Sequence, residues 1–273
     1  MSSGEAALPA GVHVLVLAGR RGAADPVAAE AGESHKCMVA VAGQTMLLRV
    51  LRVLLTARTV ATVSICLDDP DVLRGDPALM AEIAGGDVAL VAAGPSPAQS
   101  VGLTLTDPAQ AFPVLVTTAD NVLLTADLVD RFCDEAAAGG ATLAAGFAPK
   151  TILQAAYPGA KRTYVEFRDD GYSGCNLFFL RDRGALGVVR FWSELERHRK
   201  KPLRLIRAIG FGPLLRFLIK RPDLSGGMRI LSDVVGVSVG AVVLPVAEAA
   251  MDVDKPEDLV IAEEILNRRA ASD

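Results

Sequence analysis

The feature that most narrows the folds open to this chain is a series of short apolar runs, each stopping abruptly at glycine or acidic residues. The first, His13-Val14-Leu15-Val16-Leu17-Ala18, is nearly continuous and stops at Gly19. A run that is apolar at odd and even positions alike has no solvent face, so it reads as a strand buried on both sides of a parallel sheet. Runs at 60–67, 88–92, 112–118 and 141–147 repeat the pattern. The one at 60–67 ends in Asp68-Asp69-Pro70, and the one at 112–118 leads into Ala119-Asp120-Asn121. Between them, residues 45–55 carry helical periodicity. Residues 126–138 read as a helix with Thr125 as its N-cap and Gly139-Gly140 closing it. Strands alternating with helices imply right-handed crossovers, hence an α/β fold with a mostly parallel central sheet and helices on both faces. Ligands in such sheets sit beyond the carboxyl ends of the strands, which points to the loops after Ala18 and Thr118.

With 273 residues, 51% of them apolar, the chain is long enough for one large α/β domain spanning residues 1–273. Its second half changes character. Residues 163–167 alternate like an edge strand, Gly171-Tyr172-Ser173-Gly174 reads as a turn, and 176–180 as the strand after it. Residues 256–269 form an amphipathic helix, acidic at Glu257 and Asp258 and basic at Arg268 and Arg269, as the helix dipole favours. The four cysteines have no metal-binding or CxxC spacing and read as buried thiols of a reducing compartment. No basic-then-apolar leader and no run of about 20 apolar residues occurs, so a cytoplasmic protein is expected. A net charge of −4 argues against a general nucleic-acid binder.

The segment Leu17-Ala18-Gly19-Arg20-Arg21-Gly22, with Lys36 downstream, is the first chemical signal. Glycines let the backbone approach phosphate oxygens and turn amide groups toward an anion. Arg20 and Lys36 can neutralise charge building on a departing pyrophosphate. The spacing fits neither the GxxxxGK[ST] phosphate loop nor the GxGxxG dinucleotide fingerprint, and a simple glycine turn after a strand is the structural alternative.

Here the chain resembles a family. Val16-Leu17-Ala18-Gly19-Arg20 with Lys36, then Val41-Ala42-Gly43-Gln44-Thr45-Met46-Leu47, is similar to the opening of the MobA-like NTP-transferases. These are relatives of the molybdenum-cofactor guanylyl- and cytidylyltransferases and the sugar-1-phosphate nucleotidyltransferases. The resemblance continues through Thr117-Thr118-Ala119-Asp120, through Tyr172-Ser173-Gly174-Cys175-Asn176-Leu177-Phe178, and through Asp252-Val253-Asp254-Lys255-Pro256. It implies a Rossmann-like, GT-A-type nucleotidyltransferase fold. It also implies Mg²⁺-dependent transfer of a nucleoside monophosphate from an NTP, CTP favoured, to a small phosphorylated acceptor with release of pyrophosphate. The first loop departs from the family's compact Arg-Met-Gly form, being longer and holding Asp25-Pro26 and an Ala/Glu-rich stretch before His35-Lys36.

Such chemistry needs a divalent ion bridging phosphate oxygens, and Mg²⁺ favours one or two carboxylates plus water. Asp120, at a strand's carboxyl end, and Asp254, before a helix, are the expected metal ligands, with Asp252 able to replace Asp254. For both later aspartates a helix N-cap role is the alternative. A phosphate-monoester nucleophile is already anionic, so no general base is required. His13 accordingly reads as structural, and His35 is the histidine expected near the phosphates. Catalytic roles fall to Arg20, Lys36 and Asp120. Nucleotide contacts fall to Leu17, Ala18, Gly19, Arg20, Gly22, Lys36 and Asp120. The segment Pro95-Ser96-Pro97-Ala98-Gln99-Ser100 resembles the family's base and ribose contact, which adds Ser96 and Ser100. Asn176 is expected to hold the acceptor, with Lys161 and Arg162 receiving its phosphate.

Residues 197–221 hold nine Lys or Arg and no Asp or Glu, leaving 19 basic against 32 acidic side chains, a formal charge of −13, on the remainder. This stretch reads as a basic amphipathic insertion at 197–224. It is a solvated helix face, a lid over an anionic acceptor, or a peripheral contact with anionic membrane. Two other functions compete with NMP transfer. One is a nucleotide-sugar-dependent glycosyltransferase, since Asp252-Val253-Asp254 has the Asp-x-Asp form. The other is a catalytically silent nucleotide-binding or membrane-associated regulatory protein.

Overall fold

The structure, a computed structural model, describes residues 11–20, 25–198 and 221–271. In chain order these form β1 (Val12–Leu17), α1 (Pro26–Ala31), β2 (Ala40–Val41), β3 (Gln44–Thr45), α2 (Met46–Thr56), β4 (Val60–Leu67), α3 (Pro77–Gly85), β5 (Val88–Ala92) and α4 (Pro97–Thr106). They continue as β6 (Val114–Thr118), α5 (Ala126–Gly139), β7 (Leu143–Pro149), α6 (Lys150–Ala156), β8 (Val165–Glu166), β9 (Gly171–Leu180), α7 (Leu186–His198), α8 (Leu224–Val235), β10 (Val239–Val243) and α9 (Pro256–Ala270).

Eight of these strands make a sheet in the order β10-β7-β9-β6-β1-β4-β5, with β8 paired to β9, and β2 and β3 form a separate antiparallel pair. β1 lies parallel to β4 and β6, β4 to β5, and β7 to β10; only β9 runs against its neighbours. The alternation within β1 shows why it must be apolar throughout. Val12, Val14 and Val16 belong to the core under α2, α3, α5, α6 and α9. Leu15 belongs to the core under α4, α7 and α8. Both faces are covered, which is the mostly parallel α/β architecture expected.

Two segments differ from their sequence reading. The stretch from Gly171 to Gly174 is no turn but the first half of β9, because Tyr172, Ser173 and Gly174 pair with Pro149, Ala148 and Phe147 of β7. Ladder pairing overrides turn propensity here. The reversal sits earlier, closed by the Phe167 N–H to the Asp170 carbonyl at 2.9 Å. The long first loop contains α1, capped by Asp25, which accepts from the Val27 and Ala28 N–H groups, and ended by Gly32 at φ +71°.

Residues 199–220, most of the basic insertion, lie outside the described residues, as does Gly22. No helix among the described residues is long and apolar enough to cross a membrane. The four cysteines are free and buried. Burial pushes the Cys37 and Cys133 thiols up to about 12 and raises those of Cys66 and Cys175, so all stay protonated near neutrality.

Candidate active site

The carboxyl ends of the central strands continue side by side. Ala18 N–H donates to the Cys66 carbonyl, Ala93 N–H to Leu67, and Ala119 N–H to Leu17, at 2.9 to 3.0 Å. Together they wall a cleft of about 930 Å³ lined by Leu17, Ala18, Gly19, Arg20, Asp25, Lys36, the 93–100 segment, Asp120 and Asp254. Glycine suits the close packing at the first turn. A Cβ on Gly19 would stand 3.1 Å from the Ala93 Cβ and 3.4 Å from Asp68 Oδ1. Arg20 is aimed by Asp68, whose two carboxylate oxygens accept from its backbone N–H and its Nε, each at 3.0 Å. Partial burial works to raise the Asp68 carboxyl, but these two Arg20 donors outweigh it and hold the carboxyl below its usual range. With its side chain 51% exposed, Arg20 presents its guanidinium to the cleft.

Asp120 follows β6 in a turn tied down by Asn121, whose amide donates to the Cys175 carbonyl at 2.9 Å. The Val253 N–H donates to the Asp120 carbonyl at 3.1 Å, and this one backbone bond brings a loop 130 residues downstream beside the strand end. Asp120, Asp252 and Asp254 thereby place ligand oxygens within 4.8 Å of one another. Lys36, leading a short 3-10 turn after α1, extends its ammonium between two of them, 2.5 Å from Asp120 Oδ2 and 3.3 Å from Asp254 Oδ1. Burial alone would pull the Lys36 pKa down; the Asp120 carboxylate, then Asp254, reverse this and raise it, so the ammonium stays charged. Burial pushes the Asp252 carboxyl up to about 6, helped by the charges of Asp120 and Asp254 and opposed by Arg162.

These residues fit a divalent cation. Asp120 is 5% exposed, and its Oδ1 is buried without a hydrogen-bond partner, a costly state for a carboxylate oxygen that a cation relieves. All-oxygen ligands are the set that hard Mg²⁺ takes. Neither Asp252 nor Asp254 caps the following helix. The N-cap is Lys255, and Asp258 reaches back to accept from the Asp254 and Lys255 N–H groups at 3.1 and 3.0 Å.

Other expected site residues take different positions. Arg162 is 8% exposed at its side chain; it donates to Asp252 Oδ1 at 2.7 Å, to the Asp252 carbonyl at 2.9 Å and to Asp258 Oδ1 at 3.2 Å. Asn176 donates its amide to Asp252 Oδ2 at 2.8 Å. Both groups are therefore engaged within the protein and not open to an acceptor phosphate, whereas Lys161 is exposed. The Ser100 hydroxyl accepts from the Gly94 N–H at 2.9 Å and donates to the Ser96 carbonyl at 3.1 Å, so its hydrogen bonds shape the segment that lines the cleft. Ser96 caps α4 through its oxygen and keeps its hydroxyl proton to offer. His35 is turned inward, bonded to the Ser34 hydroxyl at 2.9 Å with Nε2 3.3 Å from Asp68 Oδ1, and it is 1% exposed. His13 bonds Thr62 within the sheet, as a structural histidine would.

The MobA-like NTP transferase domain matches residues 14–184, more than half of the chain and the part that holds β1, Lys36 and Asp120. The chain belongs to that family. A hypothetical transferase from Thermus thermophilus is similar over 91% of this chain and 99% of its own, at 26% identity and a TM-score of 0.74. A CMP:2-keto-3-deoxy-manno-octonic acid synthetase solved with CTP shares the fold at 14% identity and TM-score 0.59, over 95% of this chain and 99% of its own. A 4-diphosphocytidyl-2C-methyl-D-erythritol synthase from Anaerococcus prevotii shares it at 10% and 0.55, over 94% and 96%. No curated protein matches the sequence.

As a MobA-like NTP transferase, the protein is a nucleotidyltransferase, which decides against the glycosyltransferase and silent-binder readings. Two parts of this cleft and its support were not read from the sequence. Asp68 was legible as a strand terminator; the rule that strand carboxyl ends carry chemistry applies to β4 as to β1 and β6, and would have found it. Glu196 and Arg197 of α7 also line the cleft, Glu196 Oε2 accepting from the Ala98 N–H at 3.4 Å. They lie beyond the matched domain, and no local pattern announces that α7 returns to α4.

Proposed function

We propose that the protein transfers the nucleoside monophosphate of an NTP, with CTP favoured, to a small phosphorylated acceptor. The observation that carries this reading is the Asp120–Asp252–Asp254 cluster beside Lys36, of which Asp120 and Asp254 line a cleft that runs past Gly19 and Arg20. An acceptor phosphate oxygen forms a bond to the α-phosphorus, the α–β phosphoanhydride bond breaks, and pyrophosphate leaves. The acceptor is anionic near neutral pH, so the protein need only position the reactants and neutralise charge.

Asp120 and Asp254 would hold Mg²⁺, which when bound screens the phosphate oxygens and the charge that develops on them. Arg20, fixed by Asp68, would face the β- and γ-phosphates. Lys36 would follow the leaving pyrophosphate, and the backbone of Leu17, Ala18 and Gly19 would lie along the nucleotide. Ser96 would offer its hydroxyl to the nucleoside and Lys161 its ammonium to the acceptor phosphate. The preference for CTP is supported by the two cytidylyl-transferring enzymes that share the fold. Incubation with each NTP in turn, Mg²⁺ and a panel of phosphorylated alcohols and sugars tests the reading. Pyrophosphate should appear only when NTP and acceptor are both present, and most rapidly with CTP. Pyrophosphate release that ignores the acceptor would count against it.

A further inference from the structure

Three aspartates crowd this site, yet their surroundings separate them. Asp120 leaves a buried oxygen unpartnered, and Asp254 lines the cleft. Asp252 has both oxygens occupied, Oδ1 by the Arg162 guanidinium at 2.7 Å and Oδ2 by the Asn176 amide at 2.8 Å. It is absent from the cleft wall.

The two residues that grip Asp252 are built for the task. Arg162 is nearly buried, and besides the carboxylate it holds the Asp252 carbonyl and Asp258. Asp258 in turn accepts from the Asp254 N–H, so one guanidinium fixes both ends of the 252–258 turn. Asn176 stands in a bulge. Residues 175–177 of β9 face the single Gly146 of β7, and Asn176 adopts φ +50°. A left-handed residue in a strand is uncommon, and asparagine tolerates it better than most. Bulges next to active sites re-aim side chains, and this one turns the Asn176 amide onto Asp252. Gly146 is what makes room, since a Cβ there would lie 3.3 Å from Cys175, Leu177 and Phe132.

We infer that Arg162 and Asn176 are positioning residues for the metal site: they clamp Asp252 so that the adjoining Asp254 faces Asp120 across the cation, and neither contacts the acceptor. The inference rests on the reading of Asp120 and Asp254 as metal ligands. It requires that the clamp be a matter of geometry more than charge, because Arg162 makes three directed hydrogen bonds that a point charge cannot reproduce.

The test uses the full chain and Mn²⁺ alone as probe, with free Mn²⁺ followed by electron paramagnetic resonance. Arg162→Lys keeps the charge and loses the fork. Asn176→Gly keeps the left-handed backbone and loses the amide. Loss of a residue that orients a metal ligand commonly costs about 10-fold or more in metal affinity. Each variant should therefore bind Mn²⁺ about 10-fold or more weakly than the parent, and Asn176→Gly should do so with a metal-free melting temperature close to the parent's. Mn²⁺ affinity equal to the parent's in both variants overturns the positioning role. A parent protein that binds no Mn²⁺ overturns the metal reading itself, and the positioning role with it. Asn176→Gly carries the test even if Arg162→Lys fails to fold.

Discussion

Asp120 is the residue on which the site turns, because it combines deep burial, an unpartnered oxygen and contact with Lys36. Asp120→Asn keeps the shape of the side chain and removes its charge. Turnover should fall by about two or more orders of magnitude, as expected for losing a main electrostatic contact of the transition state, while the melting temperature of the metal-free protein changes little. Steady-state kinetics beside a thermal melt checks both. A proton taken up by a carboxylate beside the metal ligands reduces the negative charge that holds the cation. Burial and two neighbouring carboxylates raise Asp252 to about 6, so the cluster is fully anionic only above that pH and takes up a proton as pH falls through it. The stabilisation given by a fixed excess of Mg²⁺ should therefore be larger at pH 7.5 than at pH 5.5, measured as the shift in melting temperature on adding the ion; an equal shift at both values would place the cation elsewhere. That Arg20, Lys36, Asp120 and Asp254 gather around one cleft was legible in the sequence, because strand carboxyl ends and the motif blocks mark them. The work of Arg162 was not. Its partners lie about 90 positions away, and only the folded chain decides that its guanidinium meets Asp252 and not a ligand.

At the scale of elements, the parallel strands declared themselves. β4 and β5 occupy the very residues their apolar runs mark, and α5 begins after its Thr125 cap. A strand buried on both faces must be largely apolar, as the second half of β4 is, and that signal survives without any partner being known; β5, at the sheet edge, is apolar although mostly exposed. β9 was harder to read, since its glycines imitate a turn and its bulge breaks the alternation. β10, at the sheet edge, is interrupted by Gly240 and carries only five residues. The bulge nonetheless has a sharp requirement at Gly146. Gly146→Val would place a branched side chain against Cys175, Leu177 and Phe132. Overpacking of this kind costs typically about 1–3 kcal/mol. Urea unfolding should show a loss in that range, and a variant as stable as the parent would mean that β7 and β9 can part to admit the side chain.

Over the whole molecule, the chain gathers three aspartates, Lys36 and the Gly19-Arg20 turn at the carboxyl ends of strands in a sheet whose two faces are covered by helices. The remaining asymmetry is one of charge. Residues 197–221 hold nine of the 28 basic side chains. Of these nine only Arg197 and Arg221 lie among the described residues, and Arg197 already lines the cleft. The fate of the α-phosphate tests nucleotidyl transfer across that cleft most directly. CTP labelled at the α-phosphate is mixed with the protein, Mg²⁺ and the phosphorylated acceptor that gives the fastest pyrophosphate release, and the products are separated. The label should pass into a new compound that contains the acceptor, in amount equal to the pyrophosphate formed. Label recovered as free CMP, with the acceptor unchanged, would contradict nucleotidyl transfer and leave only hydrolysis.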